Sequence, residues 1–160
     1  MSNARATGDQ PDPARRAGRA PELAEPLDFD VAVAAEVESL PELRRSLATW
    51  LAPQGLSEGD LGSVQVVMSE LVANAVEASA PGDPVEVRVR MLRNSISVEV
   101  RNRSHRDHPV PIPSMADPLA PRGRGLAIVG SLTKDLSLRE IDGHTVAIGT
   151  LRLAPTAKPR

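Results

Sequence analysis

Two side chains on one stretch of this chain have the types and the spacing to do chemistry together. In Met68-Ser69-Glu70-Leu71-Val72-Ala73-Asn74-Ala75-Val76-Glu77-Ala78-Ser79, Glu70 and Asn74 stand four residues apart. On a helix that spacing stacks them on a single face, with Glu77 on roughly the same side. A carboxylate there can accept a proton from water or from a hydroxyl group. An amide oxygen can ligate a hard cation such as Mg²⁺, which takes few protein ligands and shares its remaining positions with phosphates and water. Asn is also a poor former of helix interiors, so something other than propensity must account for Asn74. An exposed face carrying two polar residues would read the same way, and on this segment alone that plainer reading is the stronger.

A second candidate is Arg122-Gly123-Arg124-Gly125-Leu126, directly before an apolar helical run. Glycines let the backbone come close to a ligand, and free N–H groups at a helix start favour an anion. A flexible loop ending in a glycine-rich helix start is the competing reading. The segment is not a Walker A loop, because the Lys-Ser/Thr ending is missing. Nor is it a dinucleotide fingerprint, since a proline-rich stretch precedes it where a strand would be required. His105, His108 and His144 all fall in expected loops or turns, without metal-ligand spacing, and are expected to be surface residues.

The elements that must position these groups follow from periodicity. Residues 1–26 lack apolar periodicity and read as a disordered tail. From Leu27, the alternation of Phe29, Val31 and Val33 marks a strand. Ser39 followed by Glu42, with Pro41 in the first turn, has the form of a capping box. The helix it opens runs to about Leu51 and is broken by Pro53-Gln54-Gly55. Ser57 can cap the next helix, with Glu58 and Asp60 near its positive end, and that helix continues to Ala78. Two hairpins of period two follow: Val85, Val87 and Val89 with Ile96, Val98 and Val100, then Leu136 and Leu138 with Val146, Ile148 and Leu151. Between them, residues 103–122 hold five prolines and suit a lid or a disordered loop. A helix opened by Gly123 carries Leu126, Ile128, Val129 and Leu132. The expected architecture is an α+β two-layer sandwich, with helices on one face of a mixed, mostly antiparallel sheet over residues 27–153, and a C-terminal tail at 154–160.

Composition narrows the function. Aromatic residues make up only 1% of the chain and the net charge is −2, which removes both the stacking platform and the basic excess that nucleic-acid binding uses. The absence of cysteine excludes disulfides and thiolate metal sites. No apolar run has the length of a membrane span and the first residues lack a signal-peptide core, so the cytoplasm is the expected location.

The order of these features resembles the GHKL ATPase fold shared by gyrase, the heat-shock chaperone, histidine-kinase catalytic domains and MutL. Within it, SELVANAVEAS together with GRGLAIVGSL is similar to the anti-sigma-factor serine/threonine kinases of the RsbW and SpoIIAB type. The resemblance spans residues 27–153. It implies an ATP and Mg²⁺ site in which Glu70 is the general base and Asn74 the Mg²⁺ ligand. Gly123, Arg124, Gly125 and Leu126 would lie on the phosphates, with Arg122 or Arg124 supplying charge near the γ-phosphate. Thr145, in DGHTV, would join the hydrogen bonds around adenine. The family's D-x-G-x-G motif is here Val100-Arg101-Asn102-Arg103-Ser104, with Asn102 in place of Asp and no glycines. Asn102 is expected to offer an oxygen to the adenine amino group and an N–H₂ to a ring nitrogen.

The resemblance further implies a protein that moves the γ-phosphate of ATP to a serine of an antagonist protein and holds a sigma factor inactive, in a family whose members commonly form homodimers. A catalytically degenerate relative that acts only by binding proteins is the alternative, favoured by Asn102 and the missing glycines and opposed by Glu70 and Asn74. A third reading is a nucleotide-driven switch in which the 103–122 lid closes.

Overall fold

The computed structural model describes residues 28–105 and 124–155. Valine alternation does what its period requires: β1 (Asp28–Ala34), β2 (Pro84–Met91), β3 (Ser95–Arg103), β4 (Asp135–Ile141) and β5 (His144–Arg152) form one sheet in the order β1-β2-β3-β5-β4. The mostly antiparallel sheet expected from the hairpins is antiparallel at every ladder among the described residues. Arg103 closes β3, so the proline-rich connection starts one residue later than its composition suggests. The expected tail at 1–26 and most of the expected lid lie outside the described residues.

Among the described residues three α-helices cover one face: α1 (Ser39–Leu51), α2 (Glu58–Ala78) and α3 (Arg124–Leu132). The central one is α2, whose Val64, Val67, Met68, Leu71, Val72 and Ala75 are buried against Val85, Val87, Val89, Ile96, Val98 and Val100. Ser57 caps it as expected, its hydroxyl accepting the Asp60 N–H at 3.0 Å. The capping box read at Ser39 is not formed: Ser39 is already helical, Glu38 occupies the cap position, and no side chain caps it. The reason is the preceding turn, where the Ser39 N–H reaches the Glu36 carbonyl and the Leu40 N–H reaches that of Val37. The Ser39 N–H that Glu42 would bind in a capping box is thereby already taken, and with Glu38 at the cap Ser39 lies one position too far into the helix to cap it.

The chain's one Phe and one Trp meet, Phe29 of β1 against Trp50 of α1, with ring centroids 5.7 Å apart. Arg44 of α1 donates through Nε to Ser69 Oγ of α2 at 2.8 Å, beside Glu70. No helix among the described residues is long and apolar enough to cross a membrane.

The opposite sheet face carries charges in cross-strand pairs. Arg88 binds Asp30, Arg90 binds Asp28, and Arg101 lies 3.8 Å from Glu86. The hydrogen bond that Arg88 donates to Asp30, then the charge of Asp30, raises the Arg88 pKa, and Asp28 does the same for Arg90. The Arg88–Asp30 and Arg90–Asp28 pairs are largely solvent-exposed, so they specify the β1–β2 register and blunt an edge strand more than they add stability.

Close helix–sheet approach depends on Gly149 of β5. A Cβ there would stand 3.1 Å from Thr133 Cγ2, 3.3 Å from Val67 Cγ1 and 3.7 Å from Val129 Cγ1, so α2 and α3 both rest on its bare backbone. Gly149→Val should destabilise the fold by about 1–3 kcal/mol, measured by chemical denaturation. An unchanged midpoint would show that the three neighbours give way freely.

Candidate functional site

The candidate residues converge on one side of α2. Glu70 lies midway along it, and its carboxylate sits directly against Gly125 in the first turn of α3: a Cβ at Gly125 would overlap Glu70 Oε2 and stand 3.3 Å from its Cδ. Any larger residue at 125 would therefore turn the Glu70 carboxylate out of this place, so glycine here fits the position that Glu70 takes. Arg124 opens α3 and is exposed, while the Leu126 side chain is buried in the core. Leu126 thus anchors the helix start and can offer a ligand only its backbone. The N–H groups of a first helical turn have no partner within their own helix, and those of α3 begin beside Glu70. Gly123 and Arg122 lie outside the described residues.

Asn74 sits one turn along α2 from Glu70. Its Nδ2 is a buried side-chain nitrogen without a hydrogen-bond partner among the described residues. Leaving a buried polar group unsatisfied costs ~1–3 kcal/mol, and Asn also has weak helix propensity. The orphaned nitrogen is a donor that folding leaves without an acceptor; a cation would bind the other end of the amide, its oxygen. An amide oxygen facing a cation is the donor type Mg²⁺ takes alongside phosphate oxygens, so Asn74 fits the role of metal ligand. Among the described residues no cluster of three or more His, Cys, Asp or Glu could hold a metal ion by itself.

Asn102 lies at the end of β3, only 3% exposed. Its Nδ2 donates to Ser79 Oγ at 3.1 Å and to the Arg103 carbonyl at 3.2 Å. Ser79 in turn donates to the Ala75 carbonyl at 2.7 Å. Without a ligand, both hydrogens of the amide are directed at protein acceptors. The oxygen is the end turned away from those partners. Thr145 is half-buried and pairs directly across the ladder with Asn102, so the two share the helix-covered face of the sheet. The β3 terminus is also tied to α2 by the His105 N–H on the Ala78 carbonyl, 3.2 Å, and to the α2–β2 turn by His105 Nε2 against Asp83 Oδ2, 2.7 Å. His105 is exposed and His144 half-buried, with its Nδ1 3.1 Å from the Asp142 carbonyl oxygen. His108 lies outside the described residues.

Ser79 is the site residue that sequence reasoning passed over. It stands at the end of the quoted helical motif, but no spacing rule links it to Asn102; the contact exists only once β3 is laid beside α2. From Glu70 to Ser79 is nine residues of helix, roughly 14 Å. This side of α2 therefore carries a carboxylate and the first-turn amides of α3 at one end and the Asn102–Thr145 pair at the other.

The family of histidine kinase-like ATPase domains matches residues 33–150, most of the chain, and this protein belongs to it. Membership in a family of ATPase domains implies nucleotide binding. No curated protein matches the chain. Among solved structures it is similar to the RsbU and RsbW domains of Rv1364c from Mycobacterium tuberculosis, at 21% identity and a TM-score of 0.61. That alignment covers 81% of this chain and 34% of the other, so the chain spans about a third of that structure's length. It is also similar to the catalytic domain of the histidine kinase ThkA, at 18% identity and a TM-score of 0.50, over 80% of this chain and 95% of that one. At these identities the likeness establishes the fold.

Two outcomes follow from the site. Asn74→Ala removes the orphaned nitrogen and improves helix propensity, so it should raise stability by about 1–2 kcal/mol in denaturant titration; a loss of stability would show that the amide is satisfied in solution. Asn102→Asp sets a buried carboxylate against the Arg103 carbonyl, which raises that carboxyl's pKa in the folded state. The folded form then holds its proton to higher pH than the unfolded form. The variant should match wild type most closely in acid and lose stability as pH rises above about 4, a trend that melting curves across pH will show or refute.

Proposed function

We propose that this protein binds ATP with Mg²⁺ along α2 and acts as a regulatory serine/threonine kinase of the anti-sigma type. The observation that carries the reading is the contact of Glu70 with Gly125, which brings a carboxylate to the head of α3 within one helical turn of Asn74. In this reading the amides of Gly125 and Leu126 bind phosphate oxygens, with Arg124 nearby. The Asn102 oxygen accepts a hydrogen bond from the base, and Thr145 lies beside it. Mg²⁺ held through Asn74 would neutralise the phosphate oxygens.

Glu70 takes the proton of a serine hydroxyl on an antagonist protein as that oxygen attacks the γ-phosphorus. The bond from the γ-phosphorus to the bridging oxygen breaks, and the products are ADP and phosphoserine. Such a reaction is mainly positioning and charge neutralisation, which suits a site built from backbone amides, one amide side chain and one carboxylate. A sigma factor held by the unphosphorylated complex, a homodimer and a cytoplasmic location complete the proposal, by similarity to partner-switching proteins of the RsbW type.

One observation favours a second reading, a nucleotide-responsive binding protein without turnover. Asn102 spends its amide hydrogens on Ser79 and Arg103, so the base is held by fewer contacts than the family motif provides.

Calorimetric titration with ATP, with and without Mg²⁺, tests the first reading. Binding should require Mg²⁺ and be lost in Asn74→Ala despite that variant's greater stability. Glu70→Ala should keep binding and lose phosphoryl transfer, by about 100-fold or more. No binding by the wild type at millimolar ATP would refute the nucleotide reading, and binding without transfer to any serine-bearing partner would leave the second.

A further inference from the structure

We infer that Ser79 is the positioning residue that sets base selectivity, by fixing which end of the Asn102 amide faces the ligand. This rests on the reading of the groove as a nucleotide site and adds to it the recognition of a 6-amino purine by an amide locked as an acceptor.

The argument is one of hydrogen count. A serine hydroxyl has a single proton, and that of Ser79 goes to the Ala75 carbonyl at 2.7 Å. Toward Asn102, Ser79 is therefore an acceptor only. The Arg103 carbonyl is an acceptor by nature. Two acceptors, 3.1 and 3.2 Å from the same atom, demand a donor there, so that atom is the amide nitrogen and the rotated amide is excluded. The opposite end of the amide is then an obligate acceptor. It suits an exocyclic amine and opposes a carbonyl oxygen at the same place on a purine ring. Asn102 is 3% exposed, where a mismatched pair of acceptors gains little relief from water.

The same count explains why Asn stands where the resembled motif has Asp. A carboxylate at 102 would meet the Arg103 carbonyl oxygen and a hydroxyl whose proton is already committed. Asn102 and Ser79 are thus a matched pair. Because Ser79 occupies the C-terminal boundary of α2 and bonds back to Ala75, the orientation of the base reader is set by the same helix that carries Glu70 and Asn74.

Two measurements on the full chain test this. In nucleotide-free protein, the Asn102 side-chain N–H₂ protons should exchange slowly with solvent by NMR, and should lose at least about tenfold of that protection in Ser79→Ala. Titration should then show wild type preferring ATP over ITP, which has a carbonyl where ATP has the amine, by about tenfold or more. Ser79→Ala should cut that preference several-fold, and Ser79→Thr, which keeps the hydroxyl, should restore it. Inorganic tripolyphosphate with Mg²⁺ reports the phosphate end alone and should bind both forms equally.

If ATP and tripolyphosphate bind but the ATP-to-ITP ratio is the same in wild type and Ser79→Ala, Ser79 does not set selectivity and this inference is overturned while the nucleotide reading stands. If neither binds, both fall. Should Ser79→Ala unfold, the proton exchange of the wild type decides, since fast exchange of the Asn102 amide contradicts the locked orientation.

Discussion

The packing of α2 on the sheet is the constraint from which the remaining features follow. Seven of its residues are buried, among them Val64, Val67, Met68, Leu71 and Val72, and they meet three consecutive inward valines of β2 and the Ile96–Val98–Val100 row of β3. Close-packed contact of this kind admits little sliding or rotation of the helix. Once those rows interlock, the stripe next to them is also set in space, and that stripe bears Glu70 and Asn74. The polar site is held by the same contacts that make the core, with no loop between them to absorb error.

Glycine at two places lets the third helix join this arrangement. Gly149 gives α2 and α3 a flat patch of β5 backbone to rest on, and Gly125 leaves space for the Glu70 carboxylate at the head of α3. Both are close approaches in which an added side chain would crowd its neighbours, the Glu70 carboxylate in one case and Val67 and Thr133 in the other. The result brings a carboxylate next to a helix start, two features drawn to each other electrostatically and each suited to phosphoryl chemistry. A bound phosphate would meet the carboxylate there, and Mg²⁺ held through Asn74 is the charge that makes such a meeting tolerable in the proposed function.

The polar atoms in the groove divide into those that folding satisfies and those it does not. Asn102 and Ser79 form a closed relay that ends on the Ala75 carbonyl, and every proton in it has a place. The Asn74 nitrogen has no such place among the described residues. A fold selected only for stability would reverse this, with an apolar side chain at 74. On the far face of the sheet the logic is ordinary: exposed pairs such as Arg90–Asp28 satisfy one another and hold β1 in register.

Much was legible from sequence because its physical cause is local. Period-two valines and period-3.6 apolar runs report which face is buried, and the Glu70–Asn74 stacking depends only on the helical repeat. The cap at Ser57 was readable for the same reason. Ser39 was misread because the turn before it starts the helix one residue early, with Glu38 at the cap and the Ser39 N–H on the Glu36 carbonyl, and competition among local hydrogen bonds is not visible in residue types. Tertiary structure alone decided that Gly125 lies against Glu70, that Thr145 stands across from Asn102, and that the Asn102 amide points its nitrogen at Ser79. Each of these joins residues far apart in the chain, and the direction of a hydrogen bond is set by partners that only packing brings within reach.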